Sequence, residues 1–505
     1  MAKVQSYKER KEAFVSNLSG GDILEINIVT LVAPAALLLW SALQSRKSFF
    51  SPYGIAPLVA DFLLNVVAIL FATTLYSSTP LLLNILLISP AILILLGPKR
   101  QTVQKAKPPP ERLNPQDDAG KSAKKSSNAL DPIPLRPFLT TYRGAMMIVT
   151  CMAILAVDFR IFPRRFAKVE NWGTSLMDMG VGSFVFSGGL VSARSVVKEQ
   201  LSGASSGGSL PKRILGSARH AIPLFVLGLI RLYSVKGLDY AEHVTEYGVH
   251  WNFFFTLAFI PPFVEIFHSL TTIIPSYEAL SLMIAIGYQV VLESTSLKSY
   301  ILISPRGPSL LSKNREGIFS LLGYLAIFLS GRATGMKVMP RETSASKTPH
   351  QARKALLIRM AIWTGIWTVL FALNSLHVFG FGAGIPVSRR LANMPYVLWV
   401  TAFNNGQLFL FCLIETLFFP SAHKATDKSS EEERSDLATS RIMRAFNKNG
   451  LPIFLVANLL TGAVNMGMNT LDASKGAAMA VLVGYAAVLT GVALAMDKWN
   501  FKLRL

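Results

Sequence analysis

The sequence predicts an all-α, polytopic integral membrane protein with about thirteen transmembrane helices. The chain of 505 residues is 51% hydrophobic and only 16% charged, whereas soluble domains carry roughly 25% charged residues. Apolar blocks of about 20 residues recur along it, which is the length that crosses a hydrocarbon core as a helix. The 2 cysteines, Cys151 and Cys412, both lie inside such blocks. The composition therefore excludes a secreted disulfide scaffold, a fibrous protein and a nucleic-acid-binding domain.

The apolar blocks define the spans in chain order, and each block fits or nearly fits the window of about 17 to 25 residues that a spanning helix needs. We treat residues 1–505 as a single multi-span membrane domain. The predicted spans are residues 23–43, 55–76, 79–97, 143–158, 175–193, 218–234, 249–267, 276–293, 315–331, 356–380, 393–418, 450–468 and 477–496.

The charge of the connecting segments predicts the orientation. An odd number of spans puts the termini on opposite sides, and the segments on the C-terminal side hold many more Lys and Arg residues. Because the basic side is normally cytoplasmic, we expect a cytosolic C-terminus and assign the net charge of +21 mainly to loops. These loops are rich in Pro, Ser, Gly and Lys, which predicts partial disorder. They are residues 98–142, 194–219, 332–355 and 419–448.

Acidic, basic and aromatic residues collect in the non-cytosolic segments. Ionisable groups buried in membranes usually face a cavity and pair with one another, because an isolated charge is costly there. We therefore predict one polar cavity, open toward the lumen and lined by the ends of several spans. The clustered residues are Asp158, Arg164, Arg165, Lys168, Glu170 and Asp178; Glu242, His243, Glu246, Tyr247, His250, Trp251 and Asn252; Asn314, Arg315 and Glu316; Arg389, Arg390, Asn393 and Tyr396; and Asn465, Asn469, Thr470 and Asp472.

Two positions could supply a general base. Asp158 directly follows the apolar run AILAV, so that partial burial and nearby cations would tune its pKa. A span-end carboxylate that is only satisfied by neighbouring donors is the alternative. His250 lies one helical turn after Glu246 and could be a base oriented by that carboxylate, or it could be structural. Asp61 and Asn65, one turn apart in the second span, are more typical of polar contacts between helices.

Several familiar catalytic signatures do not occur in the sequence. There is no GxSxG elbow, Walker A loop, HExxH or CxxC motif, and no HxxxxD motif of soluble phospholipid acyltransferases. The positions of the cysteines also exclude an intermediate in which a clustered cysteine carries the acyl group. We expect neither a metal ion nor a bound cofactor.

Long stretches of the chain closely resemble the fungal glycosylphosphatidylinositol (GPI) inositol acyltransferase family. The resemblance runs from about Tyr7 to the C-terminus and lapses only in the basic loops. The stretches include YKERKEAFVSNLSGGDILEIN, TTYRGAMMIVTCMAILAVDFRIFPRRFAKVENWGTSLMDMGVGSFVFSGG, EHVTEYGVHWNFFFTL, NREGIFSLLGY, VSRRLANMPYVLWV and LVANLLTGAVNMGMNT.

The resemblance implies a multi-pass enzyme of the endoplasmic reticulum with a lumenal N-terminus. Members of the family move a fatty acyl chain, usually from palmitoyl-CoA as co-substrate, onto the inositol 2-hydroxyl of glucosaminyl-phosphatidylinositol. The expected partners are these two substrates and the lipid bilayer, with no nucleic acid. The acid and the lysine of the family motif DFxIFPRRxAKxE correspond to Asp158 and Lys168, which implies a catalytic role for both. Arg160 occupies the variable position of that motif.

O-acylation needs a base for the hydroxyl proton and a cation or donor for the tetrahedral oxyanion. Asp158 and Lys168 could fill these roles, with His250 as the rival base. Guanidinium groups bind phosphate bidentately, so we expect lipid or CoA phosphates to meet Arg164, Arg165, Arg389 and Arg390. The other expected substrate contacts are Glu170, Asp178, Glu246, Tyr247, Asn252, Asn314 and Arg315. A transporter or scramblase of a lipid-linked sugar is the alternative, although no inverted repeat is visible.

Overall fold

The computed structural model describes residues 6–98, 130–203, 208–236, 244–341, 348–376, 382–422 and 424–501. Across these segments the regular structure is helical, without a β-strand. The predicted all-α class is therefore confirmed. Two clustered residues, Glu242 and His243, lie outside the described residues, as do residues 99–129, 204–207, 342–347 and 423 of the basic loops for which disorder is predicted. The loop at 419–448 is otherwise described and contains two helices, Lys428–Leu437 and Arg441–Lys448.

Several helices begin at a capping side chain. Ser6 and Glu9 form a capping box before the first helix, and Asp22 caps the next one. In the N-terminal half the helices are α1 (Tyr7–Val15), α2 (Ile23–Thr30), α3 (Val32–Lys47), α4 (Ile55–Phe62), α5 (Ala68–Thr73), α6 (Pro80–Leu96), α7 (Pro137–Ala156), α8 (Leu176–Ser202), α9 (Leu210–Lys236) and α10 (Val244–Tyr247). A π-helical turn (Leu63–Val67) joins α4 to α5, and a 3-10 turn (Arg164–Phe166) lies between α7 and α8.

The C-terminal half continues in the same way. Asn252, Ser276, Asn393 and Ser474 each cap the following helix through a side-chain oxygen. The helices are α11 (Phe253–Leu270), α12 (Tyr277–Ser294), α13 (Leu297–Leu302), α14 (Leu310–Lys313), α15 (Arg315–Val338), α16 (Pro349–Ser375), α17 (Met394–Phe418), α18 (Lys428–Leu437), α19 (Arg441–Lys448), α20 (Gly450–Gly467) and α21 (Lys475–Lys498), with a 3-10 turn (Thr470–Asp472) before the last.

Within the described residues, 11 helical segments are long and apolar enough to cross a membrane. Two of the predicted spans fall on helices outside this group. Helix α6 is apolar but has only 17 residues, and α12 carries Glu278, Gln289 and Glu293 on its 18 residues. The polytopic membrane class is confirmed, whereas the predicted count of thirteen stays a prediction.

Helices α8, α15 and α17 occupy the centre of the bundle. The span of α15 is 72% buried inside the protein, whereas the span of α9 is only 11% buried and lies at the periphery. Glycines let α8 and α15 approach closely: a Cβ on Gly189 would collide with the carbonyl oxygen of Phe328, and one on Gly331 would collide with that of Phe186. Gly180, on the same helix as Gly189, instead has open space beside it.

Contacts between loops join segments that the charge pattern assigns to the same side. On the predicted lumenal side, Lys168 pairs with Glu246 and Arg390 with Glu316. On the predicted cytosolic side, Arg341 pairs with Glu431 (2.7 Å). The two contacts on the predicted lumenal side bring candidate site residues from different loops together.

Candidate active site

Asp158 lies in the turn that follows helix α7. Its backbone N–H donates to the carbonyl oxygen of Leu155 at 3.1 Å, as in a last helical turn. The side chain of Arg164 holds the turn closed, because its Nη2 donates to several backbone carbonyl oxygens in the turn. These carbonyls belong to Val157 (2.9 Å), Phe159 (3.2 Å) and Phe162 (2.8 Å). Arg164 thus fixes the backbone that presents Asp158.

The Asp158 carboxylate takes part in a chain of polar contacts. Its Oδ2 accepts a hydrogen bond from Asn465 Nδ2 at 2.7 Å, and Asn465 Oδ1 accepts one from Lys11 Nζ at 2.5 Å. No described residue donates to Asp158 Oδ1. Burial raises the pKa of the Asp158 carboxyl, while the Asn465 hydrogen bond and the charges of Lys11 and Arg164 oppose that rise.

Helix α1 forms one wall of this site. Lys11 reaches Asn465 from α1, and two further contacts attach the helix to the turn after α20: Arg10 with Asp472 (2.5 Å) and Tyr7 OH with Thr470 Oγ1 (3.4 Å). The Arg164 guanidinium lies over the Phe14 ring (3.7 Å) and joins α1 to the turn after α7. Sequence reasoning missed Lys11 and included Asn465 only as a cluster member. The capping box predicts where α1 begins, but it does not predict which part of the protein the helix contacts.

Lys168 belongs to a second group of charges. Its Nζ lies 2.6 Å from Glu246 Oε1, and the same oxygen lies 3.2 Å from Arg389 Nη1. Arg389 Nε in turn donates to Asp178 Oδ1 at 2.5 Å. Positive and negative charges therefore alternate along a line that joins α8, α10 and the segment before α17.

Asp178 anchors that line of charges. Its Oδ2 accepts hydrogen bonds from Ser175 Oγ (2.7 Å) and from the backbone N–H of Val169 (3.1 Å). Arg389 also faces the Tyr247 ring, with its Cζ 6.0 Å from the ring centroid. Burial raises the pKa of the Tyr247 phenol well above its usual value, so this group keeps its proton.

Glu316 is the centre of a third group. This fully buried carboxylate accepts hydrogen bonds from Arg306 at 2.6 and 3.0 Å and from Arg390 at 3.0 Å. Arg390 also donates to Asn171 Oδ1 at 2.6 Å, whereas Arg315 donates mainly to the carbonyl oxygen of Ser304 (2.5 Å). Sequence reasoning missed Arg306, which has no acidic neighbour in the sequence to mark it.

The segment that carries His250 is held by Asn314. The amide oxygen of Asn314 accepts the backbone N–H groups of His250 (2.8 Å) and Trp251 (3.0 Å). The predicted helical spacing between Glu246 and His250 is wrong, because α10 ends at Tyr247 and Gly248 turns the chain with a φ of 117°. Asn252 caps α11 through the N–H of Phe254 at 3.1 Å.

The remaining predicted site residues make contacts within the protein. Arg165 Nε donates to both carboxylate oxygens of Glu25 at 2.9 Å, and its Nη2 donates to Ser77 O at 3.0 Å. The backbone N–H of Glu170 donates to Leu18 O at 3.0 Å. These contacts tie the turn after α7 to the segments around α2 and α5.

Asp158 and Lys168 flank the same short segment but stand in different groups. Among the described residues, Asp158 interacts with Asn465 and Lys168 interacts with Glu246, and no hydrogen bond or ion pair joins the two directly. The structure thus brings Lys168 together with Glu246, Arg389 and Asp178, and places Asp158 beside Lys11, Arg164 and Asn465.

An apolar groove of about 470 Å³ runs along α7, the helix whose C-terminal end leads to Asp158. It lies between α7, α8 and α17, with Thr30 and Ala33 on a further side, and Gly180 leaves it room. The Ser183 hydroxyl in its wall has no hydrogen-bond partner among the described residues. The expected polar, lumen-facing cavity stays a prediction, since this groove is apolar and lies within the bundle.

A metal centre finds no support in the described segments. No three His, Cys, Asp or Glu side chains in them come together in a way that could hold a metal ion. The charged groups of the site are paired instead with arginine, lysine and amide partners.

A family model described as GWT1 matches residues 7–496. The chain is similar over nearly its whole length to curated proteins named GPI-anchored wall transfer protein 1. The Aspergillus fumigatus protein is 68% identical over 499 residues, which cover 98% of this chain and 99% of the relative. The Aspergillus oryzae protein is 68% identical over 502 residues, covering 99% of each chain. The Candida albicans protein is 40% identical over 516 residues, again covering 99% of each chain.

Proposed function

Because the chain belongs to the GWT1 family, we propose that it is an O-acyltransferase of GPI-anchor synthesis. Its substrates are an acyl-CoA, with palmitoyl-CoA the expected donor, and the inositol 2-hydroxyl of glucosaminyl-phosphatidylinositol. The names of the relatives refer to GPI-anchored wall transfer. The resemblance of the motif around Asp158 to inositol acyltransferases supports acyl transfer as the chemical step.

The state of the Asp158 carboxylate carries the proposal. One oxygen is oriented by Asn465, while the other accepts no hydrogen bond from a described residue. A partly buried carboxylate with a raised pKa and one oxygen that accepts no protein hydrogen bond suits a general base, because that oxygen can accept a substrate proton.

The proposed step transfers one acyl group and one proton. Asp158 takes the proton of the inositol hydroxyl while the hydroxyl oxygen attacks the thioester carbonyl carbon. The oxyanion of the tetrahedral intermediate is stabilised by the Lys168 ammonium. When the intermediate collapses, the carbon–sulfur bond breaks and the CoA thiolate recovers the proton from Asp158. His250 remains the rival base.

Arg164 is the best placed of the four arginines to meet a phosphate. Its Nε and Nη1 are buried and have no hydrogen-bond partner among the described residues, whereas its Nη2 is committed to the turn. Arg165, Arg389 and Arg390 each pair with a carboxylate, on Glu25, Asp178 and Glu316, whereas Arg164 forms no ion pair within the described residues. We therefore assign the substrate phosphodiester to Arg164 first. The acyl chain would lie in the apolar groove along α7.

The proposal includes a location. The enzyme acts in the membrane of the endoplasmic reticulum with a lumenal N-terminus, because the basic loops belong to the opposite side. The contacts of α1 with the segment around Asp472 support a common side for the N-terminus and the candidate site.

Purified protein tests the proposed activity directly. Labelled palmitoyl-CoA and a glucosaminyl-phosphatidylinositol analogue should yield a labelled acylated glycolipid. Asp158→Asn keeps the shape but removes the basicity, and it should lower the rate about 100-fold or more. Asp131→Asn, the same change outside the site, is the matched control and should leave the rate unchanged.

Two results would contradict the proposal. One is lipid translocation across a bilayer without covalent acylation, which would identify a scramblase or transporter. The other is an Asp158→Asn variant that is folded, inserted and as active as the Asp131→Asn control.

A further inference from the structure

A second, polar pocket lies among the segments that the charge pattern assigns to the cytosol. It has a volume of about 550 Å³ and lies between the end of α3, the α3–α4 connection and the start of α19. Charged and polar groups in its wall include Gln44, Tyr53, Asp436, Arg441 and Arg444, and Trp40 forms an aromatic side. The proposed acylation uses none of these residues.

Buried Asp61 fixes the frame of this pocket. Its carboxylate accepts hydrogen bonds from Tyr53 OH (2.7 Å), Ser440 Oγ (2.7 Å) and Asn65 Nδ2 (2.6 Å). Tyr53 precedes α4 and Ser440 caps α19, so one buried carboxylate holds two walls of the pocket together. The contact of Asp61 with Asn65 lies within one span, whereas the contact with Ser440 is a polar contact between helices of the kind predicted for Asp61.

Gln44 fixes a further wall. Its Nε2 donates to Ser51 Oγ at 2.9 Å, and its Oε1 accepts the backbone N–H of Phe50 at 3.0 Å. The Trp40 ring stacks on the Phe50 ring with 4.9 Å between the centroids. The pocket is therefore built from side chains that are themselves held in place.

Two donors in the wall are left unpaired. Trp40 is only 2% exposed, and its indole N–H has no hydrogen-bond partner among the described residues. Arg441 Nε also has no hydrogen-bond partner among the described residues, and the Arg441 guanidinium lies 5.2 Å from the Tyr53 ring centroid. Buried polar groups are nearly always paired, so the two N–H groups indicate a missing acceptor.

The charges of the pocket indicate the sign of that acceptor. Arg444 pairs with Asp436 and approaches Asp497 at 3.7 Å. Arg441, by contrast, has no carboxylate partner in the described part of the chain. One uncompensated guanidinium beside an unpaired indole N–H favours an anion, and the guanidinium fork matches a phosphate.

We propose that this pocket binds a phosphate group, with Arg441 and Trp40 as its donors. Two sources fit the chemistry. One is the head group of an anionic phospholipid in the adjacent leaflet, and the other is the phosphate of a soluble molecule such as coenzyme A. The site is separate from Asp158 and does not depend on the proposed acylation.

The test uses Trp40 as a local reporter in the full-length protein. The chain has 7 tryptophans, so ¹⁹F NMR of fluorotryptophan-labelled protein gives a resonance for Trp40 that Trp40→Phe identifies. The protein is held in maltoside micelles, which contain no phosphate. Phosphatidic acid is added to the micelles in one arm, and coenzyme A is added in the other.

The Trp40 resonance should shift in at least one arm, and that arm identifies the source. Arg441→Gln should weaken the apparent affinity on the order of tenfold, since it removes a charged hydrogen bond. Arg46→Gln, the same loss of charge at the end of α3 but away from the pocket wall, should bind like the wild type. Should Arg441→Gln fail to fold, Arg441→Lys keeps the charge, loses Nε, and should still bind more weakly.

The proposal fails if neither phosphate moves the Trp40 resonance. It also fails if the Arg441 variants bind as tightly as Arg46→Gln. Because this readout does not involve acyl transfer, an inactive enzyme that shifts the resonance, or an active one that does not, separates this proposal from the proposed function.

Discussion

Individual side chains differ in how much of their environment the sequence reveals. The position of Asp158 at a span end follows from the apolar run before it, and the structure places it directly after α7. Its partner Asn465 lies 307 residues away in the chain, and Lys11 reaches the site through Asn465 from the first helix. No local pattern encodes such long-range contacts, so the groups that influence the pKa of the Asp158 carboxyl could not be predicted from the sequence.

The pH dependence of the reaction should report the Asp158 carboxyl. Burial raises its pKa, so activity should fall as the pH drops through a value above that of a free aspartate. Asn465→Leu removes a donor that stabilises the charged form, and the acidic limb of kcat/KM should therefore move to higher pH. The rate on the alkaline side of that limb should change little.

Asn458→Leu is the matched control for that measurement. Asn458 lies on the same helix and donates to Phe454 O at 2.7 Å, without a contact to Asp158. The acidic limb of kcat/KM for Asn458→Leu should stay at the wild-type pH. If the limb of Asn465→Leu also stays there, Asp158 is not the titrating base.

Variants at Lys168 and Glu246 test the proposed role of Lys168 as the oxyanion stabiliser. Lys168→Met keeps the aliphatic stem but removes the charge, and the loss of an oxyanion stabiliser should cost on the order of 100-fold in kcat. Glu246→Gln removes the partner at 2.6 Å but leaves that charge, so its loss should be smaller. Kinetics of the purified variants measure both effects.

The ranking would be reversed if His250 were the base. In that case His250→Gln would abolish acylation while Asp158→Asn and Lys168→Met both stayed near the wild-type rate. The assignment of the base would then pass from Asp158 to His250.

Single helices follow the sequence more closely than side-chain contacts do. Each predicted span coincides with a helix, because apolar runs and capping residues mark its course and start. The ends differ, as where α7 stops before Asp158 and where α10 stops at Tyr247. Helix α1 is the largest omission, since a short polar helix is recognisable by its cap but its docking depends on residues near the other end of the chain.

Reversed charges test whether α1 is part of the site. Arg10→Asp places two acidic groups together at Asp472, and their repulsion should loosen α1 and lower acylation by a few-fold. Combining it with Asp472→Arg restores an opposite-charge pair and should recover most of the activity. Rate measurements on both single variants and the double variant complete the cycle.

A double variant no better than the worse single variant would show that the Arg10–Asp472 contact does not hold α1 in place. The position of α1 beside Asp158 would then depend on the contacts of Tyr7, Lys11 and Phe14.

For the whole molecule, the fold class was predictable because hydrophobic blocks and basic loops recur along the entire sequence. The apolar groove and the charge groups were not, since they depend on which helices become neighbours. The charge groups show the difference well: their members occur in recognisable clusters, but the pairing of Lys168 with Glu246 rather than with a nearer acid is a property of the packed bundle.

Single cysteines test the proposed orientation. Both native cysteines are buried, so the wild-type chain should give a low background with a membrane-impermeant thiol reagent. Arg160→Cys and Ser429→Cys place thiols at exposed positions on the predicted lumenal and cytosolic sides. In sealed microsomes, Ser429→Cys should react at once and Arg160→Cys only after permeabilisation.

Labelling of both cysteines in intact microsomes would put the two loops on one side and contradict the orientation. Permeabilised samples of each variant show that both thiols are reactive when the reagent can reach them.

The glycine contacts between α8 and α15 have a mechanical consequence. At Gly189 and Gly331 the backbones of the two helices are in contact with no side chain between them. We therefore expect this helix pair to be rigid. The spans Leu210–Tyr233 and Gly450–Gly467 are the least buried of the candidate spans, at 11% and 17%. Because most of their surface faces away from the protein, we expect the bundle to flex at these helices and not between α8 and α15.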